Sequence, residues 1–210
     1  MSRSLCSAAA ALSLIAATPA ASYGYDYGCD YCQLFPYSPV RVQFGGGRTI
    51  TQGVGEKYLN NGLNVLLGLT WQPSSNVPLA LRLDGMYQRF DARQALLTQA
   101  VAHFGTNVDE GTTVMWGGDV DAELDLPLTA GSRLYFLAGG GWYDEQNTFR
   151  YQGAIVSRNT NGRRFAKNAG LGLEFANGGK LFFFIEARYM RFNVNGQNLD
   201  LIPIRLGLRF

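Results

Sequence analysis

From Val40 to the C-terminus, apolar and polar side chains alternate with a period of two. That spacing places successive residues on opposite faces of a β-strand. Eight such segments can be drawn: Val40–Gly47, Gly62–Gln72, Leu79–Phe90, Thr112–Leu126, Arg133–Glu145, Phe165–Phe175, Leu181–Phe192 and Leu199–Phe210. The fourth is the clearest. Val114, Trp116, Gly118, Val120, Ala122, Leu124 and Leu126 alternate with Thr113, Met115, Gly117, Asp119, Asp121, Glu123 and Asp125. The third sets Leu79, Leu81, Leu83, Gly85 and Tyr87 against Ala80, Arg82, Asp84, Met86 and Gln88. The fifth is apolar on both faces in its middle, and Leu134, Phe136, Ala138, Gly140 and Trp142 are taken as its apolar face. Pro203 fits poorly inside the eighth, because it lacks the N–H that a central strand needs; a bulge or a late strand start would accommodate it.

The connections sort by length. Pro73–Pro78, Pro127–Ser132 and Ala176–Lys180 read as tight turns rich in Pro, Gly, Ser and Asn. Between them fall longer loops, Arg48–Asn61, Asp91–Gly111 and Gln146–Arg164, and a short one, Asn193–Asn198. Short turns on one rim and long loops on the other characterise barrels that cross a membrane. In the second loop, Leu96, Leu97, Ala100, Val101 and Phe104 have helical spacing and predict a short amphipathic helix over Ala92–Phe104. It would either contact a ligand at the barrel mouth or, more simply, bury its own apolar side chains.

Periodicity alone does not say which face points inward. A soluble barrel would hold the apolar face inside, around a greasy ligand. Four observations favour the reverse. The polar face carries Arg41, Arg82, Arg133, Arg188, Arg205 and Arg209 against Asp84, Asp119, Asp121, Glu123, Asp125, Glu145, Glu174 and Glu186. Such near-balance suits a narrow lumen, where an unpaired charge costs several kcal/mol, and the use of Arg without Lys suits crowded bidentate pairing. Glycines recur on the same face (Gly68, Gly117, Gly139, Gly141, Gly170, Gly172, Gly207) and would make room for the large side chains. Aromatics stand near both ends of the apolar face: Trp71, Phe175 and Phe210 beside the short turns, and Tyr87, Trp116, Trp142 and Tyr189 toward the long loops. The chain also ends on an apolar alternation, Ile202, Ile204, Leu206, Leu208, Phe210. Phe182 and Phe184 fall on the nominal lumen face, either as a plug at the short-turn end or because a bulge shifts the strand.

The N-terminus adds an address. A short basic start at Arg3, an apolar run Leu5–Ala17 and Pro19-Ala20-Ala21 predict a cleaved export signal over residues 1–21. Residues 22–38 are Tyr/Gly-rich and read as an arm ahead of the barrel, residues 39–210. Cys29 and Cys32 in that arm read as a local disulfide in an oxidising compartment; a redox role would need a βαβ context that the surroundings do not offer. The chain has 210 residues and a net charge of +2, which gives no concentrated basic face for nucleic acid.

Candidate chemistry is thin. Asp119, Asp121, Glu123 and Asp125 lie on one strand face, alternate carboxylates about 7 Å apart, too far for an acid dyad. They read as partners for arginines of neighbouring strands rather than as a cation site. Asp109-Glu110 and Asp144-Glu145 read as ordinary rim charges, with cation binding the sharper alternative. His103 is the single histidine, in Ala-His-Phe-Gly with no Ser adjacent, so it makes a weak base for nucleophilic catalysis. The Gly45–Gly47 and Gly139–Gly141 runs lack the Gly-Lys-Ser/Thr of a phosphate loop and read as close strand packing.

With the export signal, the eight segments and the terminal Phe210, the chain over Val40–Phe210 resembles the small bacterial outer-membrane β-barrel family, which includes the opacity-type proteins and the transmembrane domain of outer-membrane protein A. The resemblance implies an all-β, closed, antiparallel eight-stranded transmembrane barrel in the Gram-negative outer membrane. It implies a structural or surface-contact role, no catalytic, cofactor or metal residues, and no cofactor. The implied partners are outer-membrane lipid and lipopolysaccharide, the assembly machinery acting on the strand that ends at Phe210, and an unidentified surface ligand at the long loops. The competing expectations are a soluble periplasmic ligand-binding barrel and an outer-membrane lipid-modifying enzyme.

Overall fold

The computed structural model describes residues 38–74, 77–105, 107–129, 131–177, 181–194 and 196–210. The export signal, Cys29, Cys32 and the rest of the arm before Ser38 lie outside the described residues. The strands are β1 Val40–Gly53, β2 Gly62–Trp71, β3 Leu79–Asp91, β4 Glu110–Thr129, β5 Ser132–Tyr151, β6 Ala154–Ala176, β7 Phe182–Val194 and β8 Gln197–Arg209. They pair antiparallel in sequence order and close into a barrel, with β1 against β8 from Gln43↔Arg209 to Gly53↔Leu199. Two short helices cap the long-loop end, α1 Val54–Tyr58 and α2 Gln94–Phe104.

The period-two pattern is realised directly. Along β3 every second residue from Ala80 to Phe90 is buried, and those between are exposed. Each strand therefore turns one face to the lumen and one outward. Phe210 lies just past β8 yet stays tied to β1: its N–H donates to the carbonyl of Val42 at 2.9 Å, and the Val42 N–H donates back at 2.8 Å. Its ring meets Phe44 edge-on, centroids 6.4 Å apart.

Three expectations need correction. The stretch Gln146–Arg164, expected as a loop, is mostly strand: β5 and β6 run on to Tyr151↔Ala154. Thr148, Phe149, Tyr151, Ile155 and Val156 favour extended backbone, and the turn between them has positive φ at both Gln152 (50°) and Gly153 (79°). That pair of left-handed residues is the two-residue hairpin geometry whose twist matches the strands. The hairpin stands beyond the closed wall, because β7 pairs with β6 only from Ala166 to Ala176. β4 supports it on the other side as far as Glu110↔Arg150.

The stretch Arg48–Asn61 is likewise part strand, since β-branched Thr49, Ile50 and Thr51 pair with β8 before Gly53 (φ 61°) turns the chain into α1. Pro203 needs neither a bulge nor a late start. β8 begins at Gln197, and its ladder to β1 runs through Thr49↔Pro203. Toward β7 the pairing lapses between Ala187↔Ile204 and Met190↔Leu201 and resumes in the same register.

Candidate functional site

The lumen holds most of the chemistry in the described residues. Its short-turn half is a charge network. Arg82, Arg188 and Arg209 are 0% exposed, and the carboxylates facing them are nearly as buried. Arg188 on β7 meets four carboxylates: Nη2 reaches Asp84 at 2.6 Å and Glu186 at 3.1 Å, and Nη1 reaches Asp119 at 3.1 Å and Asp121 at 3.0 Å. Glu123 on β4 collects three arginines. Arg209 grips it with both terminal nitrogens, at 2.9 and 3.1 Å; Arg82 donates at 3.1 Å, and Arg41 stands at 3.6 Å. Arg133 joins Asp125 (3.1 Å) to Glu174 (2.5 Å). Arg41, Arg82, Arg133, Arg188, Arg205 and Arg209 thus face Asp84, Asp119, Asp121, Glu123, Asp125, Glu174 and Glu186, close to neutrality.

The carboxylate ladder of β4 is therefore neutralised, as expected, but its partners are not confined to adjacent strands. Arg82 and Arg133 come from neighbouring β3 and β5, whereas Arg188, Arg209 and Arg41 reach across from β7, β8 and β1. An eight-strand barrel is only wide enough for its side chains to meet in the middle. Aromatic rings line the same half. The Tyr135 hydroxyl donates to Glu186 at 3.0 Å, and the Arg209 guanidinium lies 4.9 Å from the Tyr135 ring centre. Phe182 and Phe184 point inward without a register shift, beneath Arg133 and Arg209 at 5.9 Å each. Lumen glycines are spacers: a Cβ on Gly68 would collide with Asp84 and Gln43, and one on Gly172 with the Tyr135 ring.

The long-loop half of the lumen carries no such charge network: beside the hydrogen-bonded trio Thr49, Asn64 and Gln88 it holds an apolar cluster that the sequence pattern did not reveal. Leu66, Met86, Phe90, Met115, Met190, Phe192 and Leu201 are buried in one cluster, continued upward by Leu59 after α1. They are scattered over nominally polar strand faces, and only closure of the barrel brings them together. The junction is Met86, whose sulfur accepts from Arg205 Nη2 and from Gln88 Nε2, both at 3.4 Å. Tyr143 bridges the halves, donating to Asp119 at 2.5 Å while its ring meets Phe192 edge-on at 5.3 Å.

At the mouth, α2 forms where the spacing predicts it, closed by Gly105 in the left-handed region (φ 66°). Its Leu97 and Ala100 pack on Phe149 of the hairpin, the self-burying alternative. His103 sits on the exposed side of α2, outside the lumen. Asp109 accepts from the Gln152 N–H at 2.8 Å, Asp144 faces Arg163 at 3.7 Å and Glu145 faces Arg164 at 3.0 Å. These rim carboxylates thus brace the hairpin.

The outer surface is the inverse of the lumen. Leu63, Val65, Leu67, Leu83, Val120, Leu171 and Leu206 are exposed, Leu206 by 66%. Trp71, Phe175 and Phe210 mark one rim, and Tyr87, Trp116 and Trp142 stand toward the other, as the sequence pattern placed them. Leu67 and Leu206 do not meet in a common core, which removes the soluble ligand-binding barrel.

No family model matches the chain, and no curated protein does. Among solved structures it is similar to Neisserial surface protein A, with a TM-score of 0.54 at 10% identity, covering 82% of this chain and 96% of that one. It is also similar to a major outer membrane protein from Thermus thermophilus, with a TM-score of 0.53 at 11% identity, covering 81% and 97%. At these identities the likeness is one of fold.

Proposed function

We propose that this chain is an integral outer-membrane protein with a structural role, its barrel filled by side chains and its long-loop end presented to the surroundings. The carrying observation is the inversion of burial: arginines and carboxylates inside, a continuous belt of Leu, Val, Ile and aromatic side chains outside. An apolar surface that encircles the molecule is far larger than water-exposed proteins tolerate, and it suits acyl chains flanked by aromatic girdles. The packed lumen favours a closed barrel over a diffusion path. In the same reading residues 1–21 are an export signal, the strand ending at Phe210 engages the assembly machinery, and the loops meet any surface ligand.

Heat-modifiable gel mobility on purified outer membranes tests this. The protein is expected to stay in the pellet after urea extraction and to migrate differently before and after boiling. Release by urea, or identical mobility, would overturn the membrane assignment. We read the chain as non-enzymatic; His103→Ala is expected to leave the lipid A profile unchanged, and an altered profile would reverse that reading.

A further inference from the structure

The near-neutrality of the lumen network is not complete. Six arginines stand against seven carboxylates in the charged half. Among the described residues no other cation makes up the difference: Lys57 and His103 lie on the helices, and Lys167 points outward. Higher up, Glu145 and Arg164 pair with each other and leave the count unchanged. A surplus charge held out of water costs several kcal/mol unless something neutralises it. The shortfall has an address. Asp84, Glu123, Asp125, Glu174 and Glu186 each meet at least two arginines. Asp119 and Asp121 share Arg188 alone among the described cations, through the single nitrogen Nη1 at 3.1 and 3.0 Å.

Each of these two carboxylates leaves an oxygen unused. Asp119 and Asp121 are 2% and 1% exposed. Their Oδ2 atoms take Arg188, and Asp119 Oδ2 also takes the Tyr143 hydroxyl. Their Oδ1 atoms have no hydrogen-bond partner among the described residues. Both Oδ1 atoms lie over bare backbone of β5: a Cβ on Gly139 would strike that of Asp121, and one on Gly141 that of Asp119. An independent observation lies across Gly139, which pairs with Asp121 on one side and with Asn168 of β6 on the other. Asn168 is 6% exposed, and its side chain reaches toward the Asp121 carboxylate over the glycine. Neither atom of its amide completes a hydrogen bond to a described residue. A buried amide left open in this way is uncommon, and by turning over it can present its oxygen to the same point.

We propose that the lumen binds one monovalent cation of the sodium type, held by Oδ1 of Asp119, Oδ1 of Asp121 and the amide oxygen of Asn168. Oxygen is the donor that hard cations take. The charge of the guest follows from the count: one positive charge closes seven against six, whereas a divalent ion would leave an excess of the opposite sign in the same buried space. Gly139 and Gly141 then do more than pack strands closely, because they let the two carboxylates fold back against β5 and away from Arg188. The cation ties β4 to β6, as Arg188 ties β4 to β7. The site lies inside the wall, so it stands or falls apart from the membrane reading.

The test follows urea unfolding of the chain in detergent, with gel mobility before boiling as the folded signal. It compares sodium chloride with choline chloride at the same ionic strength, so that binding is separated from screening; choline is too large for the site. Sodium should raise the urea midpoint in a saturable way. At about ten times the dissociation constant, the folded-to-unfolded ratio should be about tenfold higher than in choline. Asp121→Asn removes the surplus charge and should lose the sodium effect. Asn168→Ala keeps the charge but removes the third oxygen, and should need about tenfold more sodium for the same rise. Glu56→Gln, exposed on α1, should respond as the parent does. Equal parent midpoints in the two salts, or a sodium effect retained by Asp121→Asn, would overturn the site. A midpoint that followed pH and ignored sodium would mean that a shared proton takes the surplus charge, and would overturn it too. So would stabilisation by calcium with none by sodium. If a variant fails to refold, saturation of the parent by sodium against choline still decides.

Discussion

The two halves of the lumen are both filled by side chains but held by different physics. Toward the short turns, Arg82, Arg188 and Arg209 are locked by carboxylates from several strands. Toward the long loops, Phe90, Met115, Met190 and Phe192 meet mainly by shape, beside uncharged hydrogen bonds among Thr49, Asn64 and Gln88. A charge network ties strands together at named atoms, but it fails when one partner goes. A packed plug tolerates exchange of shape for similar shape, but not loss of volume. The order matches the environment: the plug lies below the wet loops, while the network sits deeper, where few waters compete for its hydrogen bonds.

The largest expected break of this contrast is Arg188→Met. It strands Asp84, Asp119, Asp121 and Glu186 without their shared cation, and removing one side of a buried ion network costs on the order of 5 kcal/mol. Urea titration of the heat-modifiable form should show most of the folded signal gone. Phe192→Ala in the plug should cost about 3–4 kcal/mol through the cavity it leaves, in the same titration, with the network intact. The next pair separates the halves by conservative exchange. Arg82→Lys keeps the charge but loses the fork to Asp84, Glu123 and Glu186, and should cost about 2 kcal/mol. Met190→Leu keeps shape and should cost under about 1.5 kcal/mol. If the lysine proved harmless and the leucine severe, the assignment of charge to one half and shape to the other would fail. The smallest effect is expected outside: Gly85→Ala should fall within about 0.5 kcal/mol of the parent, whereas Gly68→Ala should destabilise clearly, because Asp84 and Gln43 occupy the space.

How much of this was legible depended on how local the signal was. The alternation in β3 and β4 located every arginine and carboxylate on its face, because period two is a property of the strand itself. The cross-lumen partners of Arg188 were not legible, since sequence order names adjacent strands and says nothing about what meets across a narrow barrel. The apolar plug was hidden for the same reason: Leu66 and Met115 are single exceptions on two different strands. The β5–β6 extension was missed because, where the hairpin leaves the closed wall, polar residues fall on both of its faces. Gln146, Asn147, Asn159 and Thr160 therefore show no alternation, and Gln152 masks a turn that Asn or Asp would have announced.

Pro203 has one further consequence. It leaves the main-chain ladder between β7 and β8 without rungs at Arg188 and Tyr189, whereas the seam joining the two ends of the chain stays continuous. Under lateral tension the cylinder should therefore unzip first beside β7, not at the junction of its termini. The missing rungs fall where the Arg188 guanidinium is anchored to β3 and β4, so a side chain moors β7 across the lumen where the backbone leaves its seam with β8 open.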